Sequence, residues 1–171
     1  ITGDIDIRVK VALDDWTPGS VQFLLSKNDE GLQRSYWLYV DTSGTLVFHW
    51  SSNGPYNAGE YAISTTPTGV TNGATKWVRV TLDVDNGAAG RDIKFWLSDD
   101  GVTWTQLGST VTQAGTTSVY NSSTPLTVGS GPGGTGYSAV GNFYRAQVLN
   151  GIDGTTVLDV DTSVLASGAA T

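Results

Sequence analysis

Hydrophobic and polar residues alternate along several stretches of the chain with a period of two. In "DIDIRVKVAL" (residues 4–13), Ile5, Ile7, Val9, Val11 and Leu13 occupy one set of positions, and Asp4, Asp6, Arg8, Lys10 and Ala12 the other. Side chains point to opposite sides of a strand at successive residues, so this pattern predicts a half-buried β-strand. "KWVRVTLDVD" (76–85) sets Val78, Val80, Leu82 and Val84 against Trp77, Arg79, Thr81 and Asp83. "RDIKFWLS" (91–98) places Ile93, Phe95 and Leu97 inward, and "TLVFHWS" (45–51) gives Leu46, Phe48 and Trp50 a common face.

Shorter apolar runs, "VQFLLSK", "RSYWLYVD", "EYAIST", "VTWTQLG", "TSVYNS" and "PLTVGS", read as further strands. "YSAVGNFYRAQVLNG" and the closing hairpin "GIDGTTVLDVD" complete the set. Turn signals such as "DDWTPGS", "SNGPYNAG", "TPTGVTNGA" and "NGAAG" separate them. No segment keeps a 3.6-residue stripe. About eleven to thirteen short strands predict an all-β, antiparallel two-sheet sandwich or jelly roll. Residues 1–162 read as one domain, and the small-residue stretch 163–171 as a tail or linker.

Composition adds to this picture. Of 171 residues, 22 are Gly, and the 16 acidic residues are all Asp except Glu30 and Glu60. Asp favours turns, whereas Glu favours helix surfaces. The net charge of −7 argues against nucleic-acid or anionic-membrane partners and mildly favours neutral sugars over anionic polymers. There is no Cys, which excludes disulfides and thiolate metal sites. No stretch is long and apolar enough for a transmembrane helix. The chain lacks Met even at position 1, so the expectation is a processed chain or a piece of a longer one.

Candidate chemistry is sparse. In "WLSDDGVTWTQLG", Asp99, Asp100 and Gly101 lie between two strand segments, and Trp104 follows. Gly101 suits a positive-φ position and an Asp can accept backbone N–H bonds, so the stretch reads as a structural hairpin turn. A glycoside hydrolase needs two facing carboxyl groups, and the best pair is Asp4 and Asp6; the simpler expectation is a solvated strand face. The lone His49 is expected to be an exposed strand histidine. Asp83, Asp85, Asn86 and Asp92 around "DVDNG" offer hard oxygen ligands for Ca2+, or else cap a hairpin loop. The "GSGPGGTG" loop lacks the following helix and the Lys that phosphate binding needs. Trp77, Arg79, Lys94 and Trp96 share the outer face of two adjacent strands. They form an aromatic and cationic platform for a sugar, a cross-strand aromatic pair, or a subunit contact.

Three resemblances bear on these expectations. "SDDGVTW" resembles the Asp-box turn of several β folds with one residue fewer; sialidase-like enzymes carry such turns away from their active sites. "DIDIR" faintly resembles the Glu-x-Asp-x-x-Glu strand of jelly-roll glucanases, but no Glu stands at a matching position. "TKWVRVTLDVDNGAAGRDIKFWLSDDGVTWTQLGS" and "GNFYRAQVLNGIDGTTVLDVD" resemble the central hairpin and closing strands of laminin-G-like, concanavalin-A-like jelly-roll domains. With "GDIDIRVKVALDDWTPG" and "SKNDEGLQRSYWLYVDTSGTLVFHWS", the chain is most similar to the laminin-G-like domains of virion proteins from phages of actinobacteria, especially minor tail proteins. That resemblance implies no catalysis, adhesion to a host-surface glycan or a role in virion architecture, and a place on a virion surface in a homo-oligomer or larger assembly. The alternatives are a decoration or oligomerisation domain with no sugar ligand, and a carbohydrate-binding module on a secreted or surface bacterial protein.

Overall fold

The computed structural model describes residues 1–164. They form twelve strands in two antiparallel sheets, a jelly-roll β-sandwich. The strands are β1 (Ile5–Leu13), β2 (Gln22–Lys27), β3 (Tyr36–Val40), β4 (Leu46–Trp50), β5 (Tyr61–Ile63), β6 (Thr75–Asp83), β7 (Gly90–Ser98), β8 (Thr105–Gln106), β9 (Val111–Ala114), β10 (Thr127–Val128), β11 (Gly141–Asn150) and β12 (Thr155–Asp161). The larger sheet runs β12-β11-β1-β6-β7-β8, with β9 also on β7; the smaller runs β10-β2-β3-β4-β5.

The alternating segments became the centre of the larger sheet. β1 is paired on both sides, with β6 and β11, and Ile5, Ile7, Val9, Val11 and Leu13 are fully buried. They meet Leu25, Leu38, Val40, Leu46, Phe48 and Trp50 of the smaller sheet in one hydrophobic core. Burying a side chain of this size contributes roughly 1.5–3 kcal/mol, and the period of two makes a one-residue slip turn the whole row outward. Trp16, from the "DDWTPGS" turn, also enters the core: its N–H bonds Asn72 Oδ1 at 2.8 Å and its indole N–H reaches the Ala74 carbonyl at 3.3 Å.

Two segments depart from expectation. "TSVYNS" is not a strand: Val119 is buried and the segment hangs on backbone bonds from Val119 to Thr2 and from Tyr120 to Ser51. β9 arises from "VTQA", too polar to signal burial, because β7 has a free edge there. Of the expected tail, Ser163 and Val164 finish a short 3-10 turn (Thr162–Val164), and residues 165–171 lie outside the described residues.

Candidate functional site

The outer face of the larger sheet gathers the charged and aromatic residues that alternate with its core rows. β6 and β7 pair with Arg79 opposite Trp96, Thr81 opposite Lys94 and Trp77 opposite Ser98. Trp77, Arg79, Lys94 and Trp96 therefore share one face, but they do not form an open platform. Arg79 is only 5% exposed and Trp77 is buried.

The reason is a four-residue ion cluster. Asp6 of β1 is fully buried, which corrects the expectation of a solvated strand face. Its carboxylate accepts two bonds from Arg79 (2.7 and 3.0 Å) and two from Arg8 (2.7 and 3.2 Å). Asp153, in the turn between β11 and β12, accepts from the same two guanidiniums and donates its backbone N–H to Asp6 at 3.1 Å. Two cations and two anions leave the cluster neutral. Burial alone pushes the Asp153 carboxyl up, but Arg79 and Arg8 outweigh it and hold it below its ordinary value. Bidentate pairing of this kind fixes geometry more surely than it stabilises the fold.

Aromatic rings close over the cluster. Trp104 lies 5.4 Å from the Arg79 guanidinium and 5.6 Å from that of Arg8, and Trp96 lies 5.6 Å from Arg79 on its own side. Trp104 is carried there by the Asp99–Asp100–Gly101 turn. Asp100 Oδ1 accepts the N–H groups of Val102 (2.8 Å) and Thr103 (2.7 Å), and the Ser98 hydroxyl bonds it at 2.9 Å; these contacts hold its carboxyl far below the usual range. Gly101 adopts φ +76° with the Trp77 ring so close that a Cβ would stand 2.7 Å from it. Asp99 pairs with Lys76 at the turn's outer side. The Asp100 carboxylate and the Ser98 hydroxyl are thus engaged in shaping the chain.

Asp4, the other member of the proposed carboxyl pair, accepts the Val84 N–H at 2.9 Å. Among Asp83, Asp85, Asn86 and Asp92, every side chain serves a turn. Asp83 caps Asp85, Asp85 caps Gly87, and Asn86 Oδ1 accepts from Ala88 and Gly90. Asp92 accepts from Asn86 Nδ2 and the Thr112 hydroxyl, which depress its carboxyl pKa. Among the described residues no three acidic or histidine side chains are grouped to hold a metal ion.

What stays open beside the cluster is a cleft of about 130 Å³ lined by Arg79, Thr81, Asp83, Asp92, Lys94, Trp96, Ile152 and Asp153. A wider groove of about 490 Å³ runs along the Asp100 turn, but no aromatic ring lines it.

The outer face of the smaller sheet carries a second constellation that the sequence reading missed. His49 is half-buried among rings, not exposed on a polar face. It stacks on Trp37 at 4.8 Å and 5°, on Tyr61 at 5.2 Å, and on Tyr39 at 5.8 Å. Burial lowers its pKa to about 4, so it is neutral at pH 7. The available signal was alternation within "YWLYV" and "LVFHW", in which both faces are apolar or aromatic.

No protein-family model matches the chain, and no curated protein matches it in sequence. Solved structures do. The Ruminococcus gnavus IT-sialidase CBM40 bound to α2,3-sialyllactose superposes with a TM-score of 0.60 at 15% identity, over 86% of this chain and 76% of that one. The same CBM40 without that ligand gives 0.55 at 18% identity, over 86% and 74%. The native heptameric SAP-like pentraxin of Limulus polyphemus gives 0.50 at 13% identity, over 88% and 65%. At these identities the likeness establishes the β-sandwich fold.

Proposed function

We propose that the domain is a non-catalytic glycan-binding module and that the cleft beside Trp96 is its sugar site. The carrying observation is the make-up of that cleft. An indole and Ile152 provide apolar surface, the Lys94 amine and the Asp83 and Asp92 carboxylates provide polar groups, and the buried Arg79–Asp6 pair, bridged by the exposed Asp153 carboxylate, forms a rigid floor. A sugar presents both an apolar ring face and hydroxyls, and a small site on strands with locked side chains loses little entropy on binding. The CBM40 neighbour solved with sialyllactose is a sandwich of the same kind put to this use.

The non-catalytic reading is supported by the carboxyls of Asp92, Asp100 and Asp153, which are held below their ordinary values, whereas a glycosidase acid needs one that is raised. Asp6, the most buried carboxylate, is bound by two arginines. The sequence resemblance supports display on a virion surface; a secreted bacterial protein is the alternative setting, and the CBM40 of the Ruminococcus gnavus sialidase is a bacterial module of the same fold.

The test is a glycan array that includes arabinogalactan fragments and sialyllactoses, followed by titration of the hits. Trp96→Ala is expected to weaken binding at least tenfold while the variant is still folded, with some loss of melting temperature because the ring also packs on Arg79, and with no cleavage product on prolonged incubation. No binding to any sugar, together with tight association with a second copy or another particle protein, would favour an architectural role.

A further inference from the structure

We propose that the outer face of the smaller sheet is a second, independent binding face, and that its ligand is an uncharged polysaccharide chain. Strand register sets Ser26, Trp37, His49 and Tyr61 in one cross-strand row and Tyr39, Val47 and Ile63 in the next, with Phe23 opposite Tyr39. No residue of either row is charged, in a chain of net charge −7. The rings stand one behind another: Tyr137 to Phe23 at 5.7 Å, Phe23 to Tyr39 at 5.3 Å, Tyr39 to His49 at 5.8 Å and His49 to Tyr61 at 5.2 Å.

Exposure falls from both ends towards the middle. Tyr137 is 59% exposed at one end, and Tyr56 (53%) and Tyr61 (39%) at the other, whereas Phe23 and Trp37 between them are buried. A line of rings crossing four strands, with open phenols at its ends, suits an extended polymer better than a compact ligand. Phenols combine an apolar body with a hydroxyl tip, which matches the mixed surface of a sugar. The Tyr39 phenol is pushed up to about 12, first by burial, so it stays protonated.

Two buried polar atoms of the first row, Ser26 Oγ and His49 Nδ1, have no hydrogen-bond partner. Native structures rarely leave such groups unmet. A hydroxylated chain settling among the ring tips brings partners that the protein itself does not supply. An anionic polymer finds no cation in either row.

The face lies on the opposite sheet from the Trp96 cleft, so the two readings stand or fall separately. His49 is the only histidine, and its imidazole NMR signals report this face alone. The probes are hydroxyethyl cellulose, dextran and arabinogalactan, with carboxymethyl cellulose as the anionic control, in affinity electrophoresis and NMR. Expected are retardation by at least one neutral polymer but not by the anionic one, movement of the His49 signals, and at least tenfold weaker retention in Y61A/Y137A. Movement of the His49 signals, together with the loss in Y61A/Y137A, separates this face from the Trp96 cleft. Three outcomes overturn the proposal: no retention by any neutral polymer, retention with silent His49 signals, or retention unaltered by Y61A/Y137A. Self-association abolished by Y61A/Y137A, in place of polysaccharide binding, would assign the face to a second copy and also overturn it.

Discussion

The two outer faces of this sandwich solve the same problem in opposite ways. On the larger sheet, charged residues are drawn inward: Asp6 and Arg79 are buried against each other, and Trp104, Trp96 and the Asp153 turn close over them. On the smaller sheet, the two outer ring rows carry no charge and are filled with stacked rings. The first face is locked, with a small cleft beside the ion cluster and a groove along the Asp100 turn; the second is held by dispersion and leaves ring edges open. Rigidity therefore comes from directional bonds on one side and from packing on the other, and the two should fail under different insults.

The largest expected effect strikes the locked face. Asp6→Ala leaves Arg79 buried with half its partners missing and should cost about 3–5 kcal/mol in denaturant unfolding. Asp6→Leu combined with Arg79→Met should recover much of that loss, because both desolvated charges disappear together. Equal destabilisation by the single and double variants would show that the cluster's charges do not balance as described.

A smaller effect should appear on the aromatic face as pH falls. His49 titrates near 4 in the folded state and near 6.5 when unfolded. The unfolded chain thus takes up a proton that the folded chain refuses, so stability is full above about pH 6.5 and declines towards pH 4. The loss should total about 2–3 kcal/mol, somewhat less than the full shift implies because the ring is partly solvated. His49→Phe should flatten stability across this window. The depressed carboxyls of Asp92, Asp100 and Asp153 act lower, below about pH 4, where their protonation removes stabilisation. A decline between pH 6.5 and 4 that survives in His49→Phe would assign it elsewhere.

The smallest effect concerns the turn that closes the locked face. Gly101→Ala forces a Cβ into the left-handed region and against the Trp77 ring, at a cost of about 1–2 kcal/mol. Because the same turn carries Trp104 over Arg8 and Arg79, this variant should also change tryptophan fluorescence. A neutral substitution with unchanged fluorescence would mean that the turn does not position the indole.

Much of the scaffold was legible. Alternation in residues 5–13, 76–84 and 91–98 marks the strands that became the sheet centre, because a strand with one buried face must alternate. The shared face of Trp77, Arg79, Lys94 and Trp96 was legible for the same reason. The closure of that face was not: Asp6 lies 73 residues from Arg79, and Asp153 lies 74 residues beyond it. The ring row of Phe23, Tyr39, His49 and Tyr61 also escaped, since a strand apolar on both faces shows no contrast.

Sequence alone determined which side chains lie on the same side of each strand, since backbone geometry sets a period of two whatever the partner. Tertiary structure decided which of those sides meets which. Pairing β1 between β6 and β11 turned Asp6 from a surface acid into a buried counter-ion, and pairing β2 with β3, β3 with β4 and β4 with β5 in register turned four scattered rings into one surface. Register across distant strands is set by the burial of the core as a whole, a quantity that no local stretch of the chain contains.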